Sequence, residues 1–244
     1  MLVDLNPKWN SWEGVITEAH LMNLTRIKYF IVTTDKNQSL IFNVTYDWVP
    51  PFKLKYLELD SYLIGSKFPL WLQVQSELTT FTLRNVGISG TILEDWFSMI
   101  SSQLTHLDLS NNQIIGKFPH HLVFSKVTSF DLSYNRFKGP IPLCFTNVVK
   151  LFLQSNFFSS PIPKNIGDQM PKLQLLDLSK NHLYGTIPLS IRKMKYLSVL
   201  YLGKNQLLGE LPYHWNESYL EVVDIAYNNL FGKNSKFNGF LEFP

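Results

Sequence analysis

Leu173–Pro188 reads LQLLDLSKNHLYGTIP, and Leu197–Pro212 reads LSVLYLGKNQLLGELP. The two stretches share a frame: apolar residues at positions 1, 4, 6 and 11, Asn at 9, Gly at 13, an apolar residue at 15 and Pro at 16. Sliding that frame along the chain finds ten units, starting near Leu2, Ile27, Leu54, Leu78, Leu104, Val127, Val148, Leu173, Leu197 and Leu220, at intervals of 21 to 27 residues. A period of this length is the signature of a solenoid, in which each unit buries its apolar face against its neighbours.

The spacing inside one unit sets its local structure. Positions 4 and 6, such as Leu176 and Leu178, lie on one side of an extended segment, and position 5 lies on the other. The Leu row is therefore expected inside and Asp177 with its equivalents outside. One short strand per unit, stacked about 4.8 Å from the next, predicts a parallel concave sheet on the order of 45 Å long. Gly with a following Ile-Pro pair, as in Gly139 with Ile141-Pro142 and Gly185 with Ile187-Pro188, marks a turn and then a second short extended segment. The convex side is expected to hold short helical or 3-10 turns, as in Ser190–Met194, with Trp71, Trp96 and Trp215 as packing anchors. The fold class expected is α/β, a solenoid of about ten coils forming one domain over residues 1–244.

Position 9 is a structural column. Asn10, Asn112, Asn135, Asn156, Asn181, Asn205 and Asn228 fall there, and an Asn amide offers the donors and acceptor that a buried turn needs. The column lapses at Asp35, Tyr62 and Val86, whose loops must satisfy their backbones in another way.

The motif L-x-x-L-x-L-x-x-N-x-L-x-G-x-I-P resembles the plant-specific leucine-rich repeat, which implies a right-handed superhelix. Asn10–His20, Asp47–Phe52 and Phe68–Gln73 are similar to segments of plant receptor-like proteins of the ethylene-inducing-xylanase receptor type. That resemblance implies a cell-surface defence receptor. Such receptors have a signal peptide, a cysteine-flanked cap, a long repeat ectodomain, one membrane helix and no kinase. They sense extracellular protein or peptide ligands and work with co-receptor kinases. This chain begins inside a repeat, carries no cysteine-flanked cap, membrane helix or kinase, and its last repeat has Asn234-Ser235 where Ile-Pro is expected. The expectation is a fragment or truncated product holding middle repeats of such an ectodomain. The implied location is the extracellular side of the plasma membrane.

Composition narrows the alternatives. The chain is 45% hydrophobic and 17% charged with a net charge of +3, enough apolar material for an extended core. No Lys/Arg run suggests nucleic acid or an anionic membrane surface. No stretch of about 18 apolar residues exists to insert in a membrane, and Met1–Pro7 lacks the basic and apolar regions of a signal peptide. The one cysteine, Cys144, reads as a small buried hydrophobe and excludes a disulfide framework or a paired-cysteine zinc site. Four Asn-x-Ser/Thr sequons, at Asn23, Asn37, Asn43 and Asn216, are candidate N-glycosylation sites.

No catalytic constellation emerges, and no cofactor or metal is expected. His120-His121 is an adjacent pair with no acidic or cysteine neighbour in sequence, and reads as a solvated loop. The Asp108, Asp131, Asp177 and Asp224 column follows the L-D-L-S repeat consensus rather than a paired-carboxylate site. The outward residues that depart from consensus are Arg84, Tyr134, Phe152, Gln154, Lys180, Tyr201, Lys204 and Tyr227, the candidate ligand contacts. Phe152, Gln154, Tyr201 and Lys204 are expected on adjacent coils as one patch. The function expected is therefore ligand binding without turnover. The alternatives are a soluble inhibitor resembling the polygalacturonase inhibitors, or a decoy fragment without independent activity.

Overall fold

The structure, a computed structural model, describes residues 2–8, 10, 13–33, 40–45, 47–211 and 220–231. Asn37, Asn216, Asp35 and Trp215 lie outside the described residues. One strand per coil forms a parallel ten-stranded sheet in chain order, from Asp4–Leu5 and Tyr29–Thr33 through Lys150–Phe152, Leu175–Asp177 and Val199–Tyr201 to Val222–Asp224. Strand pairing keeps equivalent positions in line: Phe130 pairs Leu151, Leu151 pairs Leu176, and Leu176 pairs Leu200. The register is fixed because a slip of one residue would turn every Leu of the core row to solvent. Leu173, Leu176, Leu178 and Leu183 all have no exposed surface.

Short strands that follow the concave strand in most coils form further small parallel sheets. Ser89–Gly90, Gln113–Gly116, Arg136–Gly139 and Phe157–Phe158 form a four-stranded sheet, and Tyr184–Gly185, Gln206–Glu210 and Asn229–Phe231 a three-stranded one. Gly139 and Gly185 have φ of 88° and 76°, the left-handed region in which a side chain is strained. The opposite side carries short helical pieces, including the 3-10 turns Leu70–Val74 and Leu189–Lys193. Between coils, Gly167 allows close approach: a Cβ there would lie 2.4 Å from the Ser190 carbonyl oxygen.

Aromatic rings from the concave strands and from the segments opposite meet in the core. Trp96 is buried and meets Phe81 edge-on at 5.2 Å. Phe130 lies 5.3 Å from Phe118, 5.5 Å from Phe124 and 4.4 Å from Phe145. Cys144 is buried beside this cluster, and burial pushes its thiol up to about 12, so it stays protonated at neutral pH.

The position-9 asparagines tie neighbouring coils together. Asn156 Nδ2 donates to the carbonyls of Leu132, Leu153 and Gln154, while its Oδ1 accepts the Phe137 N–H at 3.0 Å. Asn135, Asn181, Asn205 and Asn228 repeat that pattern. Where Asn is replaced by Val86, Asn112 of the next coil accepts both the Val86 and Ile88 N–H groups. A second buried amide, Gln75, accepts the Leu54 N–H at 2.8 Å and donates to the Phe52 carbonyl at 3.3 Å. Tyr62 is buried, and its hydroxyl has no hydrogen-bond partner.

Candidate ligand-binding face

The end of each concave strand is shaped by position 8. Ser61, Asn85, Asn111, Tyr134, Ser155, Lys180, Lys204 and Tyr227 all occupy it, and all have φ between 51° and 67°. A non-glycine residue in that region costs on the order of 1 kcal/mol, so the surroundings must hold it there. Hydrogen bonds to the coils on both sides do so: the Lys180 N–H donates to Gly203 O in the next coil, and the Lys180 carbonyl accepts from the Asn156 N–H of the preceding one. The candidates Tyr134, Lys180, Lys204 and Tyr227 thus stand on fixed turns at the rim of the sheet. Tyr134 is 48% exposed and Tyr227 78%. Lys204 Nζ lies 5.3 Å from the centre of the Tyr227 ring, a cation–π contact across two coils.

Position 5 has a structural duty. The position-7 N–H falls beyond the short strand and finds no carbonyl in the next coil. Where position 5 is Asp, its Oδ1 accepts that N–H: Asp108 from Ser110, Asp131 from Ser133, Asp177 from Ser179 and Asp224 from Ala226, at 2.8–2.9 Å. The carboxylates are therefore less outward than alternation alone suggests, and Asp108 is only 1% exposed. Burial first, and then the neighbouring Asp108 charge, push the Asp131 carboxyl up to about 6.

Arg84 is not a free concave cation. Its guanidinium donates through Nε and Nη2 to Asp108 Oδ2, at 3.1 and 2.5 Å, and lies 3.6 Å from Asp60 on the other side. Asp108 is in the following coil and Asp60 in the preceding one, so Arg84 neutralises carboxylates from both. Glu58 is likewise satisfied, by Lys8 at 2.8 Å and by the Tyr56 hydroxyl at 2.8 Å. His121 is not without an acidic neighbour either, since Glu94 is 3.3 Å from its Nδ1.

Coils seven to ten differ. Phe152 and Tyr201, both half-buried, occupy position 5 there. They are not on adjacent coils: Phe152 pairs Asp177, and Asp177 pairs Tyr201, so one coil separates the rings. Neither ring carries an acceptor on the strand side, and among the described residues the N–H groups of Gln154 and Gly203 have no partner. Gln154 Oε1 is also shielded without a partner. Lys180 and Lys204 make no ion pair among the described residues. Charge and polarity are thus spent internally over coils three to six, whereas coils seven and nine each leave a backbone N–H open and Lys180 and Lys204 stand without an ion pair among the described residues. The unpaired N–H groups have no signature in one repeat read alone; they show once Asp is seen to be the position-7 acceptor.

Among the described residues, no group of three His, Cys, Asp or Glu side chains is placed to hold a metal ion. The two described sequons are accessible: Asn23 is exposed in the turn after Glu18–Leu21, and Asn43 is exposed just after the Leu40–Phe42 strand.

The Leucine Rich Repeat family model matches residues 103–124, 126–148 and 172–194. The ectodomain of the Arabidopsis receptor kinase HAESA, solved with the peptide hormone IDA and the co-receptor SERK1, superposes with a TM-score of 0.76 at 28% identity. That match covers 93% of this chain and 38% of the HAESA chain. The fold is a leucine-rich-repeat solenoid. Its sequence is similar to receptor-like proteins of tomato, Solanum lycopersicum: 35% identical to EIX2 over 190 residues and 40% identical to EIX1 over 138. Those alignments take in 77% and 56% of this chain, and 18% and 13% of the relatives. The chain thus spans less than a fifth of the length of these curated relatives. A TDR receptor structure shares the solenoid fold at 23% identity, with a TM-score of 0.70 over 85% of this chain and 40% of its own. No helix among the described residues is long and apolar enough to cross a membrane.

Proposed function

We propose that this chain is a non-catalytic recognition scaffold, a segment of a plant receptor-like ectodomain that binds an extracellular protein or peptide on its concave face. It works on the extracellular side of the plasma membrane, with a co-receptor kinase ectodomain as a second partner. The observation that carries the reading is the division of the concave sheet. Coils three to six satisfy their own charges, whereas coils seven to ten present Phe152, Tyr201, Tyr227, Lys180 and Lys204 with polar groups left over. Phe152 and Tyr201 lack the internal hydrogen bond that Asp makes at position 5, and aromatic and basic side chains on a rigid ladder bind at a low ordering cost. The HAESA structure, with its bound peptide hormone and co-receptor, supports the same use of the fold. The Asp column supports the absence of turnover, because each carboxylate is committed to a backbone N–H of its own coil.

The test is selection of a random-peptide display library on the intact chain, followed by rebinding to variants. Peptides enriched on the native protein should lose binding to a Phe152→Ser, Tyr201→Ser, Tyr227→Ser variant and keep it for Lys138→Glu on the four-stranded sheet. Enriched peptides indifferent to the concave changes, or no enrichment at all, would sink the reading. The extracellular location implies glycans on Asn23 and Asn43. Intact mass of the chain from a plant secretory host should fall on enzymatic removal of N-glycans, and Asn23→Gln with Asn43→Gln should remove the shift at those sites. An unchanged mass counts against secretion.

A further inference from the structure

The two backbone donors left open by Phe152 and Tyr201 define a ligand more narrowly than exposure does. In four coils the position-5 carboxylate bends back to the position-7 N–H at 2.8–2.9 Å, so that N–H points to the concave side, where the position-5 side chain stands. In coils seven and nine the same N–H groups, of Gln154 and Gly203, meet no acceptor among the described residues. Their carbonyls are used: Gln154 O accepts from Tyr134 N at 2.9 Å, and Gly203 O from Lys180 N at 2.8 Å. Only the donors are spare.

Their separation is set by the sheet. Two coils at about 4.8 Å each place the donors about 9.6 Å apart along the solenoid axis. A polyproline II chain repeats every three residues at about 3.1 Å per residue, so equivalent carbonyls recur about 9.3 Å apart. An aromatic ring stands beside each donor, and aromatic side chains are what polyproline II segments dock against. The electrostatics select the acceptor. Asp177 occupies the coil between the donors, and the Asp224 carboxylate packs on Gly203 so closely that a Cβ there would meet its oxygens at 2.9 and 3.0 Å. A ligand carboxylate at either donor would set a full negative charge against one of these, whereas a peptide carbonyl sets only a partial one there and is disfavoured far less.

We propose that coils seven to nine hold a proline-rich peptide in the polyproline II conformation. It runs along the solenoid axis, with carbonyls of residues i and i+3 on the Gln154 and Gly203 N–H groups and prolines against Phe152 and Tyr201. This rests on the concave-face reading and names the ligand class for it.

The test restores the repeat consensus. Phe152→Asp and Tyr201→Asp each supply an internal carboxylate for the open N–H, the arrangement that the neighbouring coils already fold with. The probe is acetylated, amidated decaproline, with a Gly-Ser peptide of equal length as its control, titrated by calorimetry into the intact chain. Native protein should bind decaproline saturably and the Gly-Ser peptide not at all. Each Asp variant, with its fold checked by circular dichroism and melting, should bind at least about tenfold more weakly. Phe152→Leu and Tyr201→Leu, which remove the ring and leave the donor open, should lose less than their Asp counterparts. Equal affinity in native and Asp variants, or equal binding of the Gly-Ser peptide, overturns the proposal. So does failure of decaproline to bind while library peptides bind the same face, an outcome that leaves the concave-face reading standing.

Discussion

Asp131 shows how a repeat consensus creates a pH-dependent residue. Its Oδ1 is needed by the Ser133 N–H, yet burial and the Asp108 charge in the preceding coil raise its carboxyl to about 6. The folded-state value lies above the ordinary one near 4, so the folded chain binds the proton more tightly than the unfolded chain. The stability from this site is full below about pH 4 and is lost as pH rises through about 6. Asn keeps the acceptor and has no charge. Asp131→Asn should therefore raise stability by about 1–2 kcal/mol at pH 7 and leave it unchanged at pH 4, measured by urea denaturation at both. A difference independent of pH would mean that the gain has another source. The acid column was legible in the sequence as a repeat feature, but its duty was not, because the position-7 N–H loses its partner only where the strand ends. Arg84 was unreadable for a related reason: its partners Asp60 and Asp108 lie in the coils on either side, and only the register brings them together. Gln75 lies outside the fixed positions of the unit, so no periodic pattern marks it as the buried amide between Phe52 and Leu54.

The element that organises the candidate face is the turn after each concave strand. Eight described coils place position 8 in the left-handed region, although none of these residues is glycine. The cost is carried by the hydrogen bonds that run from turn to turn, such as Tyr134 N–H to Gln154 O and Lys204 N–H to Ala226 O. Lys180, at φ 54°, tests this. Lys180→Gly removes the Cβ strain and should change stability by less than about 1 kcal/mol in either direction, because relief of strain is offset by the entropy of glycine. Lys180→Val brings a β-branched side chain into the same region and should destabilise by about 1–2 kcal/mol. Thermal melting of the two variants decides the matter: equal melting points would show that the turn relaxes rather than holding its angle. Strand direction, the buried Leu row and the Gly turns were legible in the period, since alternation and spacing determine them. The left-handed turn was not, because Asn, Ser, Lys and Tyr share position 8 and no residue type announces it.

At the scale of the whole molecule, stability should vary along the axis, because each coil is held mainly by its two neighbours. The burial of the core row already follows that course. Leu104, Leu107, Leu109 and Ile114 in the fifth coil have no exposed surface, whereas Leu220, Val223 and Leu230 in the tenth are only partly buried. The edge strands Asp4–Leu5 and Val222–Asp224 are paired on one side only within this sheet. Native-state hydrogen exchange should therefore be slowest at Leu107, Phe130, Leu151 and Leu176. It should be at least about a hundredfold faster at Leu5 and Val223, a gap of nearly 3 kcal/mol in opening free energy. Uniform protection would mean that the array opens as one cooperative unit and that nearest-neighbour coupling is stronger than coil burial implies. The gradient bears on recognition, because Tyr201, Gly203 and Lys204 lie one coil from the softer end. A ligand bridging the seventh and ninth coils would bind only when both are folded and in register, and would shift the exchange of the ninth and tenth coils toward that of the middle. Protection at Leu200 and Leu202 should rise with decaproline in the native chain and stay unchanged in Tyr201→Asp, which separates stabilisation by the ligand from stabilisation by the restored internal hydrogen bond.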